Sequence, residues 1–139
     1  MNNLLVLCTG NSCRSQMMEG WIRYFGGTTL AVKSAGVETH GVNSTAIRVM
    51  NEAGVDISHH TSNHVDEYAG EEFDVVLTVC DNAKERCPVF PSRAKQWHHN
   101  FTDPAKATGT PEEILDVFRR VRDEIRDYAK ELVEKLNAT

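Results

Sequence analysis

The feature that most constrains this chain is an apolar run that leads through a cysteine-containing loop into a helical pattern. Residues 4–7 are Leu-Leu-Val-Leu, residues 8–15 read CTGNSCRS, and apolar residues recur at helical spacing from Met17 onward. A short continuous apolar run bounded by a turn is typical of a buried strand of a parallel sheet. The sequence therefore predicts a strand, a loop and a helix, with the loop at the carboxyl end of the strand.

The rest of the chain continues this alternation of strands and helices. Strands are predicted at residues 4–7, 28–34, 73–79 and 94–98. Helices are predicted at residues 15–25, from a cap at Asn43 or Ser44 to about residue 53, and from Pro111 onward behind a Thr110 cap. Residues 57–68 and 81–86 are expected to hold loops with short helices, and 102–110 a loop. We therefore expect one domain, residues 1–139, with an α/β three-layer fold: a parallel four-stranded sheet with helices on both faces.

Composition and charge exclude several classes of function. The net charge is −5 without any basic run, which argues against a nucleic-acid partner. No apolar stretch reaches membrane-spanning length, and the N-terminus lacks the positive region of a signal peptide. We therefore expect a cytoplasmic protein, without a membrane partner. Structural disulfides are disfavoured there, so the four cysteines point to catalytic, redox or metal-binding roles.

The loop has the chemistry of an oxyanion site. A helix N-terminus offers unpaired N–H groups and partial positive charge. Gly10 and Asn11 tolerate the positive φ that a curled loop needs, and Arg14 adds a planar fork of donors. The candidate oxyanion-binding residues are Thr9, Gly10, Asn11, Ser12, Cys13 and Arg14.

Cys8 is the candidate nucleophile. It lies at the strand end under the positive field of the loop, which favours its thiolate form. A lone cysteine in this position is more often buried and inert. The combination of Cys8, Arg14 and Ser15 with the strand–loop–helix context favours catalysis: a thiolate that attacks a tetrahedral oxyanion.

Three further residues are expected at the same edge of the sheet. Cys80 ends the third predicted strand, Cys87 follows it after six residues, and Asp103 precedes Pro104 after the fourth strand. Asp103 could protonate a leaving oxygen, although Asp-Pro alone is usually only a turn. Zinc is disfavoured because no second cysteine or histidine pair stands at short spacing. Cys80 and Cys87 are better explained as a redox pair in an accessible polar segment.

Taken together, these residues resemble the low-molecular-weight tyrosine phosphatase fold family and, within it, the thioredoxin-coupled arsenate reductases. The matching segments are CTGNSCRSQM at 8–17, SAGVETHGVN at 34–43, Cys80, Cys87, Asp103-Pro104 and RVRDEI at 120–125. The loop alone specifies only the phosphatase-like family, whereas the pair Cys80 and Cys87 specifies the reductases. Phosphatases of this fold usually follow Asp-Pro with tyrosine, and this chain has Ala105 and Lys106 instead.

The resemblance implies a relay of three cysteines. Cys8 attacks arsenate held by the loop and Arg14, Asp103 protonates the departing oxygen, and Ser15 donates a hydrogen bond to Cys8. Cys80 then attacks Cys8 and arsenite leaves; Cys87 attacks Cys80, which requires the intervening segment to loop or unwind. Thioredoxin, or alternatively glutaredoxin, restores the thiols. Cys13 has no required step: we expect it to pack in the loop, although it could form an off-path disulfide with Cys8.

The resemblance also bears on cofactors and on competing functions. No tightly bound cofactor is expected. Some relatives bind potassium behind the loop, and the matching positions here are Asn11, Glu19, Ser34 and Thr61, but Asn63 replaces an aspartate and removes one anionic oxygen. We expect a monomer. Two alternatives stay open: a small phosphomonoesterase on the same loop with Cys80 and Cys87 as a redox guard, and a non-catalytic redox sensor or anion-binding module.

Overall fold

A parallel four-stranded sheet organises the computed structural model, which describes residues 2–81, 88 and 90–138. The strands are β1 (Asn2–Cys8), β2 (Leu30–Gly36), β3 (Val75–Thr78) and β4 (Lys95–His98), in the order β2-β1-β3-β4. The helices within the described residues are α1 (Arg14–Gly26), α2 (Ser44–Glu52) and α3 (Pro111–Asn137), with 3₁₀ turns at Val65–Tyr68 and Pro104–Lys106. The α/β class and the four parallel strands are confirmed.

The two faces of the sheet are covered unequally. Side chains of β1 alternate, so that Leu4 and Val6 face one core cluster and Leu5 and Leu7 face another. Apolar residues of all three α-helices join the first cluster. Within the described residues, the second face is covered by Val65 of a 3₁₀ turn together with two phenylalanines. Among the described residues, the helical cover of that face is this 3₁₀ turn.

Local sequence signals explain the helix ends. The Asn43 side chain accepts hydrogen bonds from the N–H groups of Thr45 and Ala46, as the predicted cap requires. Thr110 forms a capping box with Glu113 at the start of α3, which has Pro111 in its first turn. None of the helices among the described residues is long and apolar enough to cross a membrane.

All four strands differ from their predicted bounds: β1 extends beyond residues 4–7 at both ends, and β4 begins one residue later than predicted. β2 begins and ends two residues later than predicted, because its limits follow its register with β1, from Asn2 opposite Leu30 to Cys8 opposite Gly36. β3 is shorter than predicted, since it pairs with β1 only over Val75–Thr78. The predicted loop at 102–110 contains a 3₁₀ turn, which Asp103 caps by accepting a hydrogen bond from the Ala105 N–H.

Candidate active site

The loop between β1 and α1 is held open by the segment that follows β2. The carbonyl oxygens of Thr9, Gly10 and Ser12 accept hydrogen bonds from the backbone N–H groups of Glu38, His40 and Asn43, at 3.0, 3.1 and 3.1 Å. In a trans peptide the N–H points away from the C=O of the preceding residue. These contacts therefore turn the N–H groups of Gly10, Asn11 and Cys13 away from the segment, as an oxyanion site requires.

Small or permissive residues allow this close approach. A Cβ atom on Gly36 would lie 2.5 Å from the Thr9 carbonyl oxygen and 2.9 Å from the Asn11 nitrogen, so only glycine fits there. Asn11 adopts the predicted positive φ, at 48°. Gly10 does not have a positive φ, contrary to its predicted role; a Cβ there would instead lie 2.6 Å from Nδ1 of His40.

A buried hydrogen-bond chain reaches the candidate nucleophile. Nδ2 of Asn11 donates to Oγ of Ser15 at 2.8 Å and to Oγ of Ser34 at 3.0 Å. Because Oγ of Ser15 already accepts this bond, its own proton is available to Sγ of Cys8, 2.9 Å away. The predicted contact between Ser15 and Cys8 is thus present.

Arg14 and Asp103 come together although 89 positions separate them in the chain. A guanidinium nitrogen of Arg14 lies 3.6 Å from Oδ2 of Asp103, and another donates to the Phe101 carbonyl oxygen at 3.4 Å. Arg14 is buried, whereas the Asp103 side chain is 21% exposed. Both residues line a cavity of about 150 Å³. The remaining lining residues are Cys8, Thr9, Gly10, Ser12, Cys13, His40, Ala105 and Lys106.

The second cysteine of the loop has different properties. Cys13 is free and 3% exposed. Burial, and next the negative charge of Asp103, raise the pKa of its thiol to about 12. Cys13 therefore remains a neutral thiol at physiological pH, which agrees with the expected packing role.

The predicted redox pair is only partly described. Cys80 is disulfide-bonded, whereas Cys8 and Cys13 are free. The expectation that Cys80 would be accessible is wrong, since it is fully buried. The reason is that sheet hydrogen bonding continues past β3: the Val79 N–H donates to the Leu7 carbonyl oxygen, which carries the following residue into the core. Cys87 lies outside the described residues, and so does the predicted pairing with it.

The residues expected to hold potassium are engaged with one another. Ser34 donates to Oε1 of Glu19 at 2.6 Å, and Arg23 donates to Oε2 at 3.0 Å. The backbone N–H of Asn63 donates a hydrogen bond to Oδ1 of Asn11. Thr61 donates its hydroxyl proton to the side-chain oxygen of Asn63. Since a protein cation already neutralises Glu19, this donor set does not fit a potassium ion.

The charged form of a histidine beside this cluster is disfavoured by burial. His60 lies against Glu19, and its Nδ1 bonds the side-chain oxygen of Gln16 at 3.0 Å. Burial lowers the pKa of His60 despite the opposing effect of Glu19. The side-chain amide of Gln16 in turn donates a hydrogen bond to the Asn11 carbonyl oxygen at 3.1 Å, and this contact helps to hold the loop in place.

Sequence reasoning missed three contributors to the site. They are the segment at 36–43, which includes His40 of the cavity wall, the Phe101 carbonyl group, and Lys106 of the cavity wall. The segment matches a motif of the family, but nothing local in it indicates contact with the loop. In the sequence, Lys106 is only a departure from the phosphatase pattern.

Comparison with known proteins agrees with this geometry. The family profile for "Low molecular weight phosphotyrosine protein phosphatase" matches residues 3–139. An arsenate reductase of Bacillus subtilis is 47% identical, over 96% of this chain and 98% of its own length. Another, from Halalkalibacterium halodurans, is 51% identical over 92% of each chain.

Solved structures of similar fold include arsenate reductases and a phosphatase. An arsenate reductase in a phosphate-binding state superposes with a TM-score of 0.80 at 32% identity, over 97% of this chain and 98% of that one. A low molecular weight protein tyrosine phosphatase from T. tengcongensis gives a TM-score of 0.78 at 25% identity, over 97% of this chain and 99% of that one.

Proposed function

This chain belongs to the low molecular weight phosphotyrosine protein phosphatase family, and we propose that it reduces arsenate to arsenite through a cysteine relay recycled by thioredoxin. The observation that carries the proposal is the joint presence of Cys8, Arg14 and Asp103 around one small cavity. Relatives named arsenate reductase, 47% and 51% identical over most of the chain, support this substrate rather than a phosphate ester.

The first step is nucleophilic attack on arsenic. The inward N–H groups of the loop and the Arg14 guanidinium bind three oxygens of arsenate. Cys8 Sγ forms a bond to arsenic while one As–O bond breaks. That oxygen already carries one proton of the arsenate, and Asp103 supplies the second, so it leaves as water. The Ser15 hydroxyl, 2.9 Å from Sγ, stabilises the attacking thiolate.

The second step is reduction. Cys80 in its thiolate form attacks the Cys8 sulfur, the S–As bond breaks, and its electron pair reduces arsenic to arsenite. β1 and β3 are neighbours, with Leu7 opposite Thr78, so the chain segments that hold these two cysteines leave the sheet side by side. Because Cys80 is disulfide-bonded in this structure, a reductant must first free its thiol.

The resulting Cys8–Cys80 disulfide then passes to Cys80–Cys87, and thioredoxin reduces it. Cys87 enters this proposal through the resemblance, since it lies outside the described residues. A thioredoxin-recycled enzyme belongs in the cytoplasm, where thiols are kept reduced.

A second candidate is phosphomonoester hydrolysis on the same loop. The structural likeness to a low molecular weight protein tyrosine phosphatase favours it, because an oxyanion loop with a thiolate serves both reactions. The presence of Ala105 where phosphatases of this fold usually carry tyrosine weakens it, since no aromatic ring is available there to hold an aryl group.

The deciding experiment is arsenate-dependent NADPH consumption with thioredoxin and its reductase, together with direct measurement of arsenite. Turnover of an aryl phosphate is measured on the same preparation, and glutaredoxin replaces thioredoxin in a parallel reaction. Arsenite formation only with thioredoxin supports the proposal. Efficient aryl phosphate turnover without arsenite would overturn it.

The variant Cys87→Ser separates the relay from simple hydrolysis. Cys8 and Cys80 remain, so one arsenite per protein molecule should form, followed by near-zero steady turnover. Mass spectrometry should then find Cys8 joined to Cys80, and any phosphatase activity of fresh reduced protein should be kept. Full steady-state reduction with thioredoxin would exclude Cys87 from the relay.

A further inference from the structure

The Arg14 guanidinium contacts one short segment that follows β4. One of its nitrogens donates to the Phe101 carbonyl oxygen at 3.4 Å, and another lies 3.6 Å from Oδ2 of Asp103. Arginine has a long side chain with many rotamers, so a planar fork that must face two oxygens has to be held at fixed points. The position of the Phe101 carbonyl group therefore bears on how Arg14 meets an oxyanion.

The Phe101 ring lies in a cluster of three rings, defined as His99, Phe101 and Tyr128. Its centroid lies 4.5 Å from that of His99 and 5.8 Å from that of Tyr128, and the His99 and Tyr128 centroids are 4.6 Å apart. Phe101 is buried, and Tyr128, on α3, is partly buried against the same core. The cluster therefore joins the segment after β4 to α3.

Backbone hydrogen bonds hold the other side of this segment. The His99 N–H donates to the Thr78 carbonyl oxygen at 2.9 Å, and the Phe101 N–H donates to that of Val79 at 3.4 Å. The second distance is long for a hydrogen bond, so the backbone alone restrains Phe101 weakly. Packing of the Phe101 ring against Tyr128 supplies a further restraint.

Tyr128 lies apart from the cavity of the candidate active site. The described residues that line that cavity do not include it, and it lines a separate cleft of about 420 Å³ together with His99 and Phe101. Burial, and next the negative charge of Glu131, raise the pKa of Tyr128, so its phenol is neutral at physiological pH. A substitution of Tyr128 thus removes no group from the oxyanion cavity, and an effect on anion binding must pass through other residues.

We propose that Tyr128 is a positioning residue, which together with His99 holds the Phe101 carbonyl group where it orients the Arg14 guanidinium toward an oxyanion. The proposal rests on the proposed function for the role of Arg14 as an oxyanion ligand. Loss of the Tyr128 ring leaves a void beside Phe101 into which the segment can shift. The guanidinium then loses part of its alignment with the bound anion.

The test measures binding of inorganic phosphate by calorimetry, in protein whose Cys80 remains disulfide-bonded as in this structure. Tyr128→Leu should weaken phosphate binding roughly five-fold, which is less than the loss of a whole hydrogen bond to a charged group would cause. Tyr128→Phe keeps the ring and should bind within about two-fold of the unaltered protein. Equal weakening in Tyr128→Phe would assign the effect to the hydroxyl group and overturn the proposal.

His99→Leu tests the same cluster at an exposed position, where a substitution is better tolerated by the fold. It should weaken phosphate binding roughly two-fold, in the same direction as Tyr128→Leu. Unchanged phosphate affinity in both variants would overturn the proposal.

A double-mutant cycle with Arg14→Lys identifies the route of the effect. Lysine has no planar fork for the Phe101 carbonyl group to orient. Tyr128→Leu should therefore change phosphate affinity less than about two-fold in the Arg14→Lys background. The full loss in that background would show that Tyr128 acts independently of Arg14, and would overturn the proposal.

Phe73→Leu is the matched control. It removes a buried ring that packs on Tyr68 and Phe90 in the core on the opposite face of the sheet. It should lower the Tm, as Tyr128→Leu does, but leave phosphate affinity unchanged. A similar loss of phosphate affinity in Phe73→Leu would attribute the effect to general destabilisation and overturn the proposal.

Arsenate kinetics separate this inference from the proposed function. In Tyr128→Leu, kcat/KM for arsenate should fall roughly five-fold, because Arg14 binds the anion before and during the first chemical step. Absence of arsenite formation by the unaltered protein would overturn the proposed function. The phosphate affinities would still decide whether Tyr128 positions Arg14.

Discussion

The floor of the cavity, residues 8–15, and its mouth, formed by His40, Ala105 and Lys106, are built on different principles. The floor is largely buried, and its carbonyl oxygens and side chains are tied by hydrogen bonds to the 36–43 segment and to one another. The mouth is exposed, with the His40 side chain 56% accessible. A floor built in this way fits a tetrahedral oxyanion in general, so we expect it to supply nucleophile and charge but little selectivity. Under the proposed function, we expect the mouth to affect substrate choice and the cysteines beyond the floor to set the redox outcome.

The largest effect is expected from Cys8→Ser, which removes the nucleophile of the floor. A hydroxyl is a far poorer nucleophile, so arsenite formation and any phosphatase activity should both fall at least about 10⁴-fold. Cys13 cannot replace it, because burial and Asp103 raise its pKa to about 12. Phosphate binding measured by calorimetry should survive. Retained turnover in the purified variant would exclude Cys8 as the nucleophile.

Asp103→Asn tests the residue at the boundary of floor and mouth. The amide cannot give a proton to the departing oxygen, so the first chemical step should slow about 100- to 10,000-fold. Single-turnover kinetics would measure this step, and later disulfide exchange should keep its rate. Asp116→Asn, at an exposed position of α3, is the control. An unchanged single-turnover rate would remove Asp103 from the mechanism.

Ser15→Ala probes the hydrogen bond beneath the nucleophile. Loss of the 2.9 Å contact to Sγ of Cys8 should slow both arsenate reduction and alkylation of Cys8 by roughly ten-fold at neutral pH, the effect of one hydrogen bond to a charged group. Ser44→Ala, at the exposed start of α2, should change neither rate. If alkylation is as fast as in the unaltered protein, the serine does not stabilise the thiolate.

Ala105→Tyr is expected to have the smallest effect and concerns only the mouth. A phenol ring beside the cavity could hold an aryl group, so kcat/KM for an aryl phosphate should rise about three-fold while that for arsenate changes less. Ala107→Tyr, two residues further on and outside the cavity lining, is the control. A larger loss for arsenate than gain for the aryl ester would show that floor and mouth are not independent.

The features that the sequence alone predicted correctly depend on residues that are close together in the chain. Cys8, Arg14 and Ser15 lie within one strand–loop–helix unit, so their chemistry and their proximity follow from local pattern. The same holds for the Asn43 cap and the Thr110 capping box, which involve residues two or three positions apart. The parallel four-stranded sheet followed from the alternation of apolar runs and helical patterns.

Only the tertiary structure decided the rest, because those features depend on residues far apart in the chain. The ends of β2 follow its register with β1, and Cys80 is buried because sheet hydrogen bonds extend past β3. The contacts of Glu38 and His40 with the loop join positions about thirty residues apart. No local pattern encodes such contacts. They form when strand pairing brings β2 and the segment that follows it against the loop, which also places His40 in the cavity wall.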